Sequence, residues 1–139
     1  MLIGEYQHSL DAKGRISFPA KLRDELGAQF VVTKGLDNCL SVYRLEEWKL
    51  LEQKTAALPT SKARQIQRFL FAGAALVEPD KQGRVLLPQT LREYAGLSSD
   101  VTVVGVSTRA EIWDTARWNA LNSELTCESV AETMDELGF

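Results

Sequence analysis

Hydrophobic and polar residues alternate over short stretches in both halves of this chain, a pattern that is typical of half-buried β-strands. The alternation predicts strands over 6–10, 15–18, 30–33 and 40–43 in the first half, and over 101–104 and 111–113 in the second. These stretches are rich in β-branched and aromatic residues, which favour the pleated strand.

Two short helices are predicted by a proline followed by apolar residues at helical spacing. Pro19 and Pro88 suit the first turn of a helix, because the missing N–H group would have no partner there. Gly27 and Gly96 suit the ends of these helices. Helices of about two turns are not stable in isolation, so both must pack on a sheet.

Four further helices are predicted by amphipathic patterns, over 45–58, 61–71, 115–126 and 130–137. Three of them have a candidate N-terminal cap. The expected caps are Thr60 or Ser61 for 61–71, Asp114 for 115–126, and a capping box of Ser129 with Glu132 for 130–137.

An internal repeat organises the chain. Residues 11–27 align with residues 80–96 at an offset of 69, and seven of the 17 positions are identical. With one extra residue in the second half, the alignment continues until Trp48 matches Trp118. Agreement at glycine, proline and tryptophan in one register predicts a tandem duplication.

Each repeat is too small to form an adequate core alone, because a unit of about 45 residues buries little apolar surface. We therefore expect the repeats to share a core as a pseudo-two-fold pair of interlocked hairpins. The predicted fold class is α+β, with a mostly antiparallel small β-barrel and flanking helices. The predicted parts are a first repeat over 5–48, a helical linker over 49–72, a second repeat over 73–118, and C-terminal helices with an acidic tail over 119–139.

The formal net charge of −3 is unevenly distributed along the chain. Five acidic and no basic residues follow position 123, and removing that −5 leaves +2 on the remainder. The stretch 54–71 contains four basic residues and no acidic one. An acidic total therefore does not exclude a basic surface for nucleic acid, although a charged helix is more often simply solvated.

Composition narrows the class of protein. The chain is 45% hydrophobic and 25% charged, as soluble globular proteins are. It shows no signal peptide and no apolar run long enough for a bilayer, which predicts a cytoplasmic protein. Cys39, Cys127 and His8 lack the spacing of a metal site, so we expect unpaired thiols, no metal and no cofactor, with Cys39 buried.

Both repeats place an aspartate four residues before an arginine, with a glycine between them. The aspartate can cap a turn and the glycine can supply its positive φ, so one interpretation is a structural turn with a surface ion pair. The other interpretation is functional, because an arginine fork matches guanine O6 and N7 or a phosphate. The residues are Asp11, Gly14 and Arg15, and Asp80, Gly83 and Arg84.

These motifs, with Pro19 and Pro88 after them, resemble the paired Asp-x-x-x-Arg motifs of the MraZ family, in the AbrB-like swapped-hairpin superfamily. The resemblance covers residues 1 to about 120. Further similar segments are Gly4-Glu5-Tyr6, Thr33-Lys34-Gly35-Leu36-Asp37, Cys39-Leu40, Glu46-Glu47-Trp48 and Glu111-Ile112-Trp113-Asp114.

The resemblance implies a tandem AbrB-like swapped-hairpin β-barrel and a sequence-specific DNA-binding transcriptional regulator. Such a protein is expected to repress the bacterial division and cell-wall gene cluster, including its own gene, by binding tandem short G-rich promoter boxes. Its expected partners are double-stranded promoter DNA and further copies of itself, in a ring-shaped homo-oligomer of eight or more subunits. It would be cytoplasmic and nucleoid-associated, without a membrane or a small-molecule substrate.

The resemblance also implies roles for individual residues. Arg15 and Arg84 would read DNA, and the preceding aspartates of each turn would orient them. Lys13 and Lys81 lie inside the turns, one place out of register with each other, and could reach phosphates.

Three alternatives remain open. An enzyme would need Asp11 and Asp80 to share a proton, but an arginine beside each favours the ionised form, and no nucleophile elbow or phosphate loop is present. A helix-turn-helix protein would read DNA with the basic helix over 61–71. The third is an antitoxin-like or other protein-interaction module of the AbrB-like fold. The basic residues that could add phosphate contacts from that helix are Lys62, Arg64 and Arg68.

Overall fold

The computed structural model describes residues 1–138 as a mixed α+β protein, which confirms the predicted class. Its strands are β1 (Leu2–Ser9), β2 (Arg15–Ser17), β3 (Phe30–Lys34), β4 (Leu40–Arg44), β5 (Ala75–Val77), β6 (Arg84–Leu86), β7 (Asp100–Ser107) and β8 (Ala110–Asp114). Its helices are α1 (Ala20–Leu26), α2 (Leu45–Ala56), α3 (Thr60–Ile66), α4 (Gln89–Ala95), α5 (Thr115–Glu124) and α6 (Cys127–Glu136). A 3₁₀ turn at Leu36–Asn38 precedes β4, and a π-helical turn at Gln67–Phe71 follows α3.

The strands of the two repeats interleave. Six form an antiparallel sheet in the order β1-β7-β8-β4-β3-β5, and β2 pairs with β6 in a separate antiparallel ribbon. Exchanging the repeats leaves this order unchanged, because β1, β7 and β8 correspond to β5, β3 and β4. Among residues 1–138 the six-stranded sheet ends at β1 and β5, and these two strands do not pair with each other.

One hydrophobic core contains equivalent side chains from both repeats. Ile16 of β2 faces Val85 of β6 across the ribbon, and both are fully buried. Leu22 of α1 and its equivalent Leu91 of α4 are also buried in this core. The ribbon and the two short helices therefore close the core that neither repeat could close alone.

The predicted strand positions are confirmed for β2, β3, β4, β7 and β8, with the ends shifted by one to three residues. The first prediction was wrong in extent, since 6–10 becomes an eight-residue strand from Leu2 to Ser9. Its burial pattern does not alternate regularly, so periodicity could not show its start. The strand is long because β7, from the other repeat, offers an eight-residue edge to pair with.

Three of the longer helices are shorter than predicted. The helix predicted over 45–58 ends at Ala56, and the one predicted over 115–126 ends at Glu124. The helix predicted over 61–71 is regular only for Thr60–Ile66 and then widens into the π-helical turn. Neither Thr60 nor Ser61 caps it, because Pro59 occupies the N-cap position without a side-chain hydrogen bond.

Two predicted caps were wrong. The last helix begins at Cys127 rather than at residue 130, because Thr126 and Ser129 form the capping box at its start. The Thr126 Oγ1 accepts the Ser129 N–H at 3.1 Å, and the Ser129 Oγ accepts the Thr126 N–H at 2.9 Å. Asp114 precedes α5, but its carboxylate accepts hydrogen bonds from Ser98 at 3.2 and 2.6 Å instead of capping the helix.

Helices long and apolar enough to cross a membrane were sought among residues 1–138, and none meets both conditions.

Candidate nucleic-acid interface

The turn between β1 and β2 is organised by the carboxylate of Asp11. Its Oδ1 accepts the backbone N–H groups of Lys13 and Arg15, both at 2.9 Å, and its Oδ2 accepts the Arg15 Nε–H at 2.8 Å. Gly14 donates its N–H to the Asp11 carbonyl at 3.0 Å and has a φ of +81°, which glycine adopts without steric cost. The five-residue segment thus defines both the turn and the base of the Arg15 side chain.

The turn between β5 and β6 has the same geometry. The Asp80 Oδ1 accepts the backbone N–H groups of Gln82 and Arg84, and its Oδ2 accepts the Arg84 Nε–H, all at 2.9 Å. Gly83 has a φ of +78°. The Asp–Arg contact predicted from the repeat is therefore present twice, although a role in DNA binding remains a prediction.

Hydrogen bonds hold the pKa of both turn carboxyls below the usual range for aspartate. The largest cause at Asp11 is the backbone N–H of Arg15, and at Asp80 it is the backbone N–H of Arg84. A carboxyl with a lowered pKa loses its stabilising contribution only as the pH falls through that lowered value. Both turns therefore keep their ionised carboxylates throughout the neutral range.

The two turns are joined by backbone hydrogen bonds between the repeats. The Phe18 N–H donates to the Gly83 carbonyl, and the Leu87 N–H donates to the Gly14 carbonyl, both at 2.9 Å. These bonds extend the β2–β6 ribbon on both sides. The ribbon thereby couples the turn of each repeat to the strand that leaves the turn of the other.

The two arginines of the turns are partly exposed. The Arg15 side chain is 27% exposed and the Arg84 side chain is 33% exposed. Each is held through Nε, and within residues 1–138 neither makes a hydrogen bond through its Nη nitrogens. Lys13 and Lys81 are also exposed, so all four predicted DNA-contacting side chains are accessible to a ligand.

A second pair of arginines, absent from the sequence-based site, contacts these turns. A Cβ placed on Gly14 would lie 2.7 Å from Cζ of Arg92, and a Cβ placed on Gly83 would lie 2.7 Å from Cζ of Arg23. Each guanidinium therefore packs on the turn glycine of the opposite repeat. The available signal was the identity of Arg23 and Arg92 at the repeat offset of 69.

Other candidate features lie elsewhere. A cavity of about 570 Å³ is lined by the 3₁₀ turn, β4 and the π-helical turn, and by none of the predicted site residues. In the basic helix α3, Ala63 is buried while Lys62, Arg64 and Arg68 are exposed. Neither feature is repeated in the other half of the chain.

Comparison with known proteins assigns the family. A family model described as "MraZ protein, putative antitoxin-like" matches the chain twice, over residues 1–69 and 70–137. The chain belongs to the MraZ family. The two MraZ matches start 69 residues apart, which equals the offset of the internal repeat, and each contains one Asp–Arg turn.

Individual MraZ relatives are similar over the full length of the chain. Proteins named "Transcriptional regulator MraZ" are 57% identical in Acetivibrio thermocellus and 56% identical in Caldicellulosiruptor bescii, each over 143 residues. The protein of that name in Clostridium beijerinckii is 55% identical over 142 residues. All three alignments cover 100% of this chain and 100% of the relative.

Proposed function

We propose that this protein is a sequence-specific DNA-binding transcriptional regulator that reads DNA with Arg15 and Arg84. One observation carries the proposal: two equivalent turns each present an arginine that is held through Nε by an aspartate. The Nη nitrogens can then donate to guanine O6 and N7 in the major groove. The names of the relatives support a role in transcription.

The remaining site residues have distinct proposed roles. Asp11 and Asp80 orient the reading arginines, while Gly14 and Gly83 allow the turns to form. Lys13 and Lys81 contact phosphates, which position a protein on DNA without specifying sequence. Because the two lysines occupy different places in their turns, the two halves would contact the backbone asymmetrically.

The biological role follows from the MraZ resemblance. We propose that the protein represses the division and cell-wall gene cluster, including its own gene, by binding tandem short G-rich promoter boxes on the nucleoid. We also propose that the fold is the AbrB-like swapped-hairpin barrel in one chain. Its proposed parts are the repeats over 5–48 and 73–118, the linker over 49–72 and the C-terminal segment over 119–139.

Self-association into a ring is the proposed mode of assembly. One chain offers only two reading turns, which is few contacts for a specific affinity of about 10⁻⁸ M, and linked sites raise affinity through effective concentration. Helix α6 has no buried residue in the single chain. Its Val130, Met134 and Leu137 are 39%, 41% and 71% exposed. Light scattering, followed by binding to DNA with one, two or three boxes, tests this; a monomer that binds one box as tightly as three would contradict it.

The proposed function is tested by replacing both reading arginines. Arg15→Ala and Arg84→Ala should each weaken binding to the promoter upstream of the protein's own gene by about 1–3 kcal/mol, because each removes a bidentate base contact. The measurement is fluorescence anisotropy with promoter and scrambled DNA, alongside circular dichroism. Unchanged promoter affinity in the folded double variant would refute the proposal.

Arg109→Ala is the matched control, because Arg109 also pairs with a carboxylate on the surface, Glu111 at 3.0 Å, but outside the turns. It should leave promoter affinity unchanged. The antitoxin-like wording of the family description favours one alternative, a protein-interaction module. A wild-type protein that shows no preference for promoter DNA, yet forms a stable complex with another protein encoded beside it, would favour that alternative.

A further inference from the structure

The electrostatics of the two turns leave a gap in the proposed mode of binding. Each reading arginine is paired with its aspartate at 2.8 or 2.9 Å, so an Asp–Arg unit carries no net charge. Attraction to DNA depends on the number of phosphates neutralised by cations. Other basic side chains beside the turns must therefore supply most of that attraction.

Arg23 and Arg92 are placed to supply it. The Arg23 Nε–H donates to the Phe18 carbonyl at 2.9 Å, and the Arg92 Nε–H donates to the Leu87 carbonyl at 3.0 Å. These bonds hold the guanidinium groups at the ends of the ribbon. Both side chains are half-buried, which limits their mobility and reduces the conformational entropy that binding would remove.

Neither guanidinium is neutralised within the protein. The salt bridges within residues 1–138 involve neither Arg23 nor Arg92. Their Nη nitrogens make no hydrogen bond in the same part of the chain, because the only recorded bonds use Nε. A rigid, charged group with unused donors beside a reading residue has the chemistry of a phosphate contact.

We propose that Arg23 and Arg92 form a second pseudo-symmetric pair that binds DNA phosphates flanking the bases read from the turns. Arg92, which packs on Gly14, acts beside Arg15, and Arg23, which packs on Gly83, acts beside Arg84. The phosphate site at each turn is thus completed by the opposite repeat. This inference rests on the proposed DNA-reading function.

The two phosphate sites differ in their acidic surroundings. Arg23 lines a shallow depression with Asp24, Glu78 and Asp80. The repeat-equivalent of Glu78 is Ser9, so the Arg92 site has one acidic residue fewer. Arg92 should therefore contribute more to DNA affinity than Arg23.

The test is the salt dependence of DNA binding by the full-length protein. Arg92→Gln and Arg23→Gln should each reduce the slope of log K against log salt by about 0.9 for every arginine that engages DNA. Between 50 and 200 mM salt, one such contact corresponds to a change of about 3.5-fold in affinity. The ratio of promoter to scrambled affinity should stay constant, whereas it should fall in Arg15→Ala.

Arg117→Gln is the matched control for packing. Arg117 also packs on a glycine of positive φ, Gly96, with its Nη2 3.0 Å from a Cβ placed there, and donates to the Ala95 carbonyl. Its replacement should leave the salt slope unchanged. Arg92→Lys should restore most of the slope, because the charge returns even though the guanidinium contact does not.

A lower stability with an unchanged salt slope in Arg92→Gln would overturn the inference and leave Arg92 a purely structural role. If the variant does not fold, the wild-type protein provides the test through the Nε–Hε NMR signals of its arginines. The Arg23 and Arg92 signals should shift on adding promoter DNA, and unshifted signals would refute the inference. Failure of the proposed function differs from both outcomes, because the wild type would then show no preference for promoter over scrambled DNA.

Discussion

Each turn aspartate accepts three hydrogen bonds, two from backbone N–H groups and one from an arginine side chain. The same carboxylate therefore stabilises the turn and restricts the arginine. The glycine in each turn is constrained twice, by its positive φ and by the guanidinium of the opposite repeat. At the residue scale, the site is a set of small constraints that act on the same few atoms.

Replacing Gly14 with alanine tests these constraints. The positive φ should cost about 1–3 kcal/mol of unfolding free energy, and the new Cβ would displace Arg92. The control is Gly27→Ala, because Gly27 has a φ of +90° and no atom within 4 Å of an added Cβ. Both variants should lower the urea midpoint, but only Gly14→Ala should weaken DNA binding. Equal DNA affinity in the two variants would contradict this account.

The cysteines give a second prediction at this scale. Burial raises the pKa of Cys39 to about 12, whereas Cys127 is exposed. Because the thiolate is the reactive form, the native protein at pH 8 should react with Ellman's reagent at one cysteine, and the unfolded protein at two. Rapid reaction of both thiols in the native state would show that Cys39 is accessible.

The β2–β6 ribbon connects the site to the core at the scale of elements. Each of these strands has three residues, too few to be stable as an isolated pair. Ile16 and Val85 fasten them to the core from the centre of the ribbon, while Arg15 and Arg84 begin the strands beside the turns. The position of the reading arginines therefore depends on core packing.

Truncation of Ile16 measures that dependence. Ile16→Ala should lower the unfolding free energy by about 2–5 kcal/mol, because it leaves a cavity at a fully buried position. Leu86→Ala, in the partner strand but at a position that is 59% exposed, should change it by less than about 0.5 kcal/mol. Urea denaturation monitored by tryptophan fluorescence is the measurement. A small effect of Ile16→Ala would show that the ribbon contributes little to the core.

The whole molecule is one cooperative unit because its repeats exchange strands. β1 and β4 of the first repeat pair with β7 and β8 of the second, and β5 pairs with β3. Each boundary between repeats in the sheet is thus a line of backbone hydrogen bonds. The repeat is a unit of sequence, but it is not a unit of folding.

Separating the repeats tests this conclusion. Fragments 1–72 and 73–139 should each lack a dispersed amide NMR spectrum as monomers, because each loses the strands that its own strands pair with. An equimolar mixture should recover the native circular dichroism spectrum. A monomeric, folded fragment 1–72 would show that a single repeat closes its own core.

The features that the sequence by itself determined are local. The Asp11 carboxylate bonds to groups within four residues, and Pro19 precedes a helix because it lacks an N–H group. Such interactions depend on chain geometry over a few residues, so residue type and spacing suffice to predict them. The repeat then indicated that the same devices occur twice.

Only the tertiary structure decided which distant groups meet. The length of β1 depends on β7, and the packing of Arg92 on Gly14 depends on how α4 lies against the other repeat. The caps of the last two helices were mispredicted for a related reason: several polar side chains could satisfy the same N–H groups, and packing selected among them. Contacts between residues far apart in the chain are selected by the shared core, whose free energy is not a property of any short segment.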